Sequence, residues 1–390
     1  SVTTTATQPE HRISYVNIIS ENTAPPQYDN LAVIGLNISS SKELRSLDQL
    51  SVYCTEGVIP DHTFPRVFED LLTDPRYGAG DFFSPRQIDN TSFEAAHTWT
   101  EDRRYFYDGA ISEKINLRSW GAERARDFLL DLSVSGGKYT LNPAINFDPE
   151  PIAAMFSSGN IIEDTLAVNY LDTQDRLDPI VTVRWREERA NNTPNDRGLF
   201  PQLREFSVRR SGVNENAPII QVDLSNFCTN RKHAEDRAKL ECQSKRYITH
   251  AVSFKTLPTE AGVQAGSIIK LGIETIKYEQ PQNGAISNTG EVTSWPPLGD
   301  GTYNAIIWDG NTLNEDATLV VLSGRATEYK NAVFCLADSS NKAETYKITS
   351  VSFDEDGNVD IEALYWPTTD SGISLMTLDW NIDAAWDIDG

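Results

Sequence analysis

The spacing of apolar residues along the chain changes several times, and each change predicts a different kind of element. Residues 13–19 and 31–38 are rich in β-branched residues and partly alternate, the period of half-buried strands, with Ala24-Pro25-Pro26 breaking the chain between them. Leu50 to Cys54 reads as one more short strand. At Phe64 the period becomes helical: Phe64, Val67, Phe68, Leu71 and Leu72 share one face, with Thr63 as the expected cap, Pro65 in the first turn and Asp74-Pro75 as the stop. Asn90 is expected to cap a second helix to about Thr100. Ser119 is expected to cap a third, with Ala125, Phe128, Leu129 and Leu132 facing one way. Gly136-Gly137 predicts a hairpin turn between strands at 132–135 and 138–141.

Strands then return. Residues 180–185 and 206–210 read as neighbours joined by a polar loop at 190–201. Asn230 is expected to start a long polar helix to about Lys245, with a narrow apolar stripe of Ala234, Ala238 and Cys242, running into a strand at 248–255. Short strands follow at 267–276, 305–308, 317–321, 333–336, 346–353 and 359–364, and Asp354 to Asn358 is a hairpin turn by composition. Their regular spacing predicts a small barrel. The fold class read from this is β-rich α+β and multidomain, with a small β-barrel and a compact helical α+β module. The expected boundaries are 1–60 (first β-domain strands), 61–145 (helical module), 146–260 (β-domain with one long helix), 261–366 (C-terminal β-barrel) and 367–390 (an extended acidic arm). Leu375, Leu378, Trp380 and Trp386 are the arm's apolar anchors and candidate assembly contacts, set either in a neighbour's grooves or against the arm's own barrel.

Charge narrows the function classes. Among 390 residues, 34 Lys and Arg face 57 Asp and Glu, a net charge of −23, which argues against a nucleic-acid-binding surface and against docking on anionic lipid. The last 40 residues hold ten acids and no Lys or Arg. A hydrophobic fraction of 39% is globular composition. No apolar run is long enough to span a bilayer, and the N-terminus lacks a basic-then-apolar pattern.

Chemistry is sparse. GxGxxG after a strand, P-loop, GxSxG and HExxH patterns are absent. His11, His62, His97, His233 and His250 are scattered, with no two at zinc-ligand spacing. Asp354, Asp356, Asn358 and Asp360 alternate but fail the EF-hand pattern. Cys54, Cys228, Cys242 and Cys335 form no CxxC pair and read as small buried apolar residues; Cys228 and Cys242 are the nearest candidates for a disulfide. Trp295, Trp308 and Trp366 could line a sugar groove or pack a core. No catalytic residue, metal or cofactor is predicted, although a glycosidase-like carboxylate pair assembled from distant strands stays open.

Several segments, in order, carry a resemblance: LAVIGLNISSSKELRSLDQLSVYC (31–54), the helix at Phe64 leading into LLTDPRYGAG, RSWGAERARDFLLDLSVSGGKYTLNPAI (118–145), RKHAEDRAKLECQSKRYITHAVSFKT followed by AGVQAGSIIKLGIE (231–274), and YKITSVSFDEDGNVDIEALYW (346–366). This succession resembles the hub portion of the tip attachment protein J family of lambda-like siphophages, over most of residues 30–366. Neither of its more specific pieces, DPRYG after an amphipathic helix and the K-I-x-S-V ending, is catalytic. The family's fibronectin-like repeats and receptor-binding end have no counterpart here, nor do the loop at 280–300 and the arm after 367 match the family. The resemblance implies a baseplate hub: a homotrimer at the distal end of the virion tail, with two small barrels per chain matching a sixfold tail tube, and the helical module as an insertion on the outside. It also implies contacts to a distal tail protein, the tape measure protein and a central tail fibre, host attachment through a further domain, and assembly in the host cytoplasm. DNA would pass through during ejection without specific binding, along a channel expected to be lined by acids. Two other readings are a tail-associated depolymerase or lysin, and a monomeric carbohydrate-binding adhesin.

Overall fold

The computed structural model describes residues 61–389, apart from 112, 136, 173–175, 188–201, 259–261, 273–281, 295 and 338–342. The strands expected at 13–19, 31–38 and 50–54, the whole 1–60 unit, the loop at 190–201, Cys54 and Trp295 lie outside the described residues.

The chain is β-rich, with four α-helices among the described residues. It begins with α1 (Phe64–Thr73), α2 (Asn90–Asp102), α3 (Leu117–Asp127) and the hairpin β1 (Leu130–Ser135) and β2 (Lys138–Pro143). Then come β3 (Ile152–Ser157), β4 (Ala167–Tyr170), β5 (Ile180–Glu187), β6 (Gln202–Arg210), β7 (Ile219–Asp223), α4 (Arg231–Tyr247), β8 (His250–Thr256) and β9 (Ile268–Gly272). A run of shorter strands follows: β10 (Asn283–Ile286), β11 (Val292–Ser294), β12 (Gly301–Trp308), β13 (Leu313–Leu322), β14 (Arg325–Ala326) and β15 (Ala332–Leu336). The chain closes with β16 (Glu344–Phe353), β17 (Val359–Tyr365) and β18 (Trp386–Asp389).

In the helical module the expected apolar face of α1 is buried from Phe64 to Leu72, but the helix caps differ from those expected. Thr63 stands at the cap of α1, yet its hydroxyl caps nothing; it bonds Asp61 and His97 instead. Asp89, not Asn90, precedes α2. Asn116, not Ser119, caps α3, because its side-chain oxygen accepts from the backbone N–H groups of both Arg118 and Ser119. The helix ends at Asp127. Leu129, at φ 57°, turns the chain into β1, so Leu132 lies on a strand rather than on a helical face. Gly121 lets α3 press on α1: a Cβ there would lie 2.6 Å from the Phe68 ring.

Two sheets curl into small barrels. The first has the order β3-β9-β16-β17-β8-β4. The chain leaving β3 crosses to the far side, where Ile161 bridges Thr256 and the Ile162 N–H donates to the Lys255 carbonyl, nearly closing the barrel. Alternate residues point inward, among them Phe156, Phe254, Leu271, Tyr346, Ile348 and Ile361. The second barrel has the order β11-β10-β15-β12-β13-β14, and a bridge between Glu291 and Arg325 joins its two edges. Its core is Ile286, Ile307, Leu319, Val321 and Phe334 with small residues between them. The absence of a side chain at Gly284 makes the β10–β11 edge possible, since a Cβ would fall 1.9 Å from the Thr293 carbonyl oxygen. The barrels touch through Met155, Ile306, Val333, Cys335 and Ala343.

This distribution differs from the boundaries read from the sequence. β10 to β15 form the second barrel as an insertion between β9 and β16 of the first. The strands at 146–260 are shared between the first barrel and a separate sheet of order β18-β6-β5-β7. Alternation identifies a strand and its buried face, but the partner is chosen by long-range packing. β5 and β6 are neighbours, as expected, and they pair antiparallel. The helical module does not stand apart either: Phe64, Phe128 and Leu141 share one core with α4, Val183 and Phe206 of the four-stranded sheet, and Trp380.

Candidate functional site

The segment RKHAEDRAKLECQSKRY reads as a helix that should be mostly solvated. α4 is instead surrounded: His233, Asp236, Arg237, Lys239, Glu241 and Gln243 are all buried. The stripe Ala234, Ala238 and Cys242 is buried as expected, and Asn230 caps the helix by accepting from the Lys232 N–H. Burying so many polar groups is tolerable only if each finds a partner.

Asp236 accepts from the Tyr105 hydroxyl at 2.6 Å, the Trp380 indole N–H at 3.0 Å and the Lys232 ammonium at 2.8 Å. Arg237 and Arg126 both donate to Glu241, at 2.9 and 3.0 Å. Burial pushes the Glu241 carboxyl up, but these two charges outweigh it and hold it below its usual range. Asp127 also lies near Arg237, and there burial prevails and raises the carboxyl. Lys239 donates to the Trp380 carbonyl at 2.9 Å, and Gln243 to the Leu378 carbonyl at 3.0 Å. The helix thus ties together the helical module, the four-stranded sheet and the C-terminal residues. A second tie is Lys347 on β16. It donates to Asp131 at 2.9 Å and to the Ala144 carbonyl at 2.7 Å, with its ammonium 4.9 Å from the Trp366 ring.

The C-terminal residues correct the expectation of an extended arm. They fold back through a 3-10 turn (Leu375–Thr377) onto α4 and end as β18, paired with β6. Trp380 and Trp386 are 3% and 5% exposed within their own chain, Leu375 is half-buried, and Leu378 is 36% exposed. The two indoles are therefore covered without a neighbour. An indole needs both apolar cover and an acceptor, and the chain supplies both: Asp236 for Trp380, and the Asp379 carbonyl at 3.0 Å for Trp386. Of the four anchors, Leu378 is the one still facing solvent, with Ile382 exposed nearby in sequence.

The other sequence candidates fall into structural roles. Asp354 accepts from the backbone of Asp356 and Asn358 and from Lys255, which builds the hairpin turn and holds its carboxyl down at about 2. Trp366 is core; Trp308 is half-buried against the barrels. Cys228, Cys242 and Cys335 are free and buried, and burial pushes each thiol up to about 12, far from a reactive thiolate. Among the described residues no group of three His, Cys, Asp or Glu is placed to hold a metal. A cavity of about 540 Å³ opens between the barrels and residues 367–372. Glu150, Lys270, Glu315, Glu344 and Asp370 contribute to its wall, and Lys270 pairs with Glu315.

His233 is wholly buried, stacked on Tyr105 and tilted against Phe128 at ring distances of 4.6 and 4.7 Å, with the Asp127 carbonyl 2.9 Å from Nε2. Burial drives its imidazole from 6.5 down to about 4, against the opposing pull of the Asp127 carbonyl. The folded state therefore keeps it neutral while the unfolded chain takes up a proton. Its contribution is fully present above pH 6.5 and is lost as pH falls toward 4, at about 1.4 kcal/mol per pH unit. The stability difference between pH 7 and pH 5, read by urea unfolding, is expected to shrink by roughly 2 kcal/mol in His233→Gln. An unchanged difference would contradict this placement.

No family model matches the sequence, and no curated protein matches it. Among solved structures, the chain is similar to a chain in the virion of a native gene transfer agent particle (10% identity, covering 64% of this chain and 38% of that one, TM-score 0.35). It is also similar to the 43 kDa tail protein of prophage MuSo2 from Shewanella oneidensis (10% identity, 65% and 56% covered, TM-score 0.29). A third similarity is to the tail protein from Neisseria meningitidis MC58 (10% identity, 70% and 65% covered, TM-score 0.29). The chain spans 38% to 65% of the length of these structures, and TM-scores of this size do not establish a shared fold.

Proposed function

We propose that the chain is a structural protein of a bacteriophage tail, not an enzyme, and that it forms the trimeric central hub at the tail tip. The observation that carries this reading is the pair of small six-stranded barrels lying against each other in one chain. Three copies would present six barrels, the number needed to meet a sixfold tube from a threefold ring. The ordered sequence resemblance to tail hubs supports the same reading. The solved structures above are tail and virion proteins by name, and the reading does not rest on them.

In this role the hub closes the tail tube, contacts the distal tail and tape measure proteins, and carries a central fibre, with host attachment through a further domain. Three copies would carry three times −23, or −69. Non-specific DNA binding depends on neutralising phosphates, so an acidic channel lets DNA slide through without being held. Exposed Leu378 remains an assembly contact in this reading. The test is the mass and symmetry of the full chain in solution and its position in tails, by light scattering and electron imaging. A ring of three copies is expected.

A further inference from the structure

We propose that Phe82 of one copy docks into an apolar groove on a second copy of this chain, so that the contact runs head to tail around a ring; this rests on the trimeric hub reading. Phe82 is 94% exposed, the most exposed of the large apolar side chains among the described residues. It is not a floppy loop residue. The turn after α1 is pinned to that helix: the Ala79 N–H donates to the Leu71 carbonyl at 2.9 Å, and the Gly78 and Gly80 N–H groups donate to the Asp74 carbonyl. Gly78 and Gly80 permit this approach, since a Cβ at either position would lie 2.2 Å from a backbone oxygen of α1. The Phe82 and Phe83 N–H groups then both donate to the Ala79 carbonyl. Phe83 turns inward against Tyr139, and Ser84 and Gln87 form a capping box immediately after. The chain is thus held on both sides of a phenyl ring that nothing among the described residues covers. A rigid aromatic presented this way loses little entropy on docking, as interface anchors require.

A matching recess exists on the same chain. A groove of about 320 Å³ runs between the β1–β2 hairpin, α4 and the first barrel, walled by Leu132, Ala144, Leu240, Ala265, Leu364 and Trp366. A cavity of about 150 Å³ already accepts a benzene ring. Charge adds a match: Arg126 and Asp131 line the groove, each held at one side by its intrachain partner, Glu241 or Lys347, but with side chains still 57% and 49% exposed, and Asp81 and Arg86, both exposed, flank Phe82. In the docked pair Asp81 adds a second partner to Arg126, and Arg86 a second partner to Asp131, extending the two existing ion pairs. A knob and a hole at different places on one chain make a heterologous contact, which closes into a ring when the rotation allows.

The test uses the full 390-residue chain with light scattering across concentration, comparing wild type, Phe82→Glu and Ser244→Trp, which fills the groove from α4. Thermal melts check that each variant folds. Self-association is expected to weaken by roughly 30-fold or more in both variants with the melting temperature unchanged. Phe82→Cys combined with Ser133→Cys, which lines the groove, is expected to give disulfide-linked oligomers under oxidation. If wild type and both variants form the same trimer, this contact is overturned and the trimer survives. Association that depends on Phe82 but closes at another number supports the contact and sinks the threefold ring. A wild-type chain that stays monomeric, alone and with tail proteins, overturns both.

Discussion

Replacing Asp236 with alanine is expected to cost about 3–5 kcal/mol of folding stability, the range for removing one member of a buried charged network. Asp236 is 3% exposed and is the acceptor for Tyr105, Trp380 and Lys232. Lys232, half exposed, can turn to water when the carboxylate is gone. The Tyr105 hydroxyl and the Trp380 indole N–H cannot, and each is left as a buried donor without an acceptor. Asp236→Asn keeps one acceptor oxygen and should lose less. In the Tyr105→Phe background the cost of Asp236→Ala should fall by 1 kcal/mol or more, because one stranded donor is already absent. Urea unfolding of the four proteins reads this directly. A loss below 1 kcal/mol for Asp236→Ala would mean that α4 is not the keystone described.

Trp380→Ala is expected to cost about 3–5 kcal/mol, the usual range for truncating a buried indole. The ring packs edge-on against Phe147 and Trp386, and its carbonyl accepts from Lys239. Trp380→Ala and Asp236→Ala should be clearly non-additive, since they break the same hydrogen bond. The comparison also decides between two roles for the C-terminal residues. If the indole served a neighbouring copy, its removal would leave the stability of a dilute monomer nearly unchanged and would weaken assembly instead. Chemical denaturation at low and high protein concentration separates these outcomes.

Much of the secondary structure was legible because local rules dominate it. The apolar spacing from Phe64 to Leu72, the hairpin at Gly137, the cap at Asn230 and the turn at Asp354 are each set within a few residues of sequence. The starts of α3 and α2 are not legible to the residue, because Ser119 and Asn90 are cap types as good as Asn116 and Asp89, three residues and one residue earlier. The barrels were legible as a class but not as a partition. β3 pairs with β9 across more than a hundred residues, and nothing in the alternation of either strand names the other.

The candidate site was the least legible. α4 carries a polar sequence whose i, i+4 pairs Lys232–Asp236 and Arg237–Glu241 suit an exposed helix equally well. Only the tertiary structure shows that Tyr105, Asp127 and Trp380 close over them. Trp380 and Trp386 read as anchors, but whether the surface receiving them belongs to the same chain depends on the path after Pro367, which composition does not encode. The exposure of Phe82 had no sequence signal, because Phe82 and Phe83 differ only in which one faces Tyr139.

The hub reading stands most directly on copy number at the tail tip. Light scattering on the full chain, alone and with adjacent tail proteins, combined with imaging of tails, should give three copies in a closed ring and threefold density at the distal end. A stable monomer that neither trimerises nor joins the tail would contradict it.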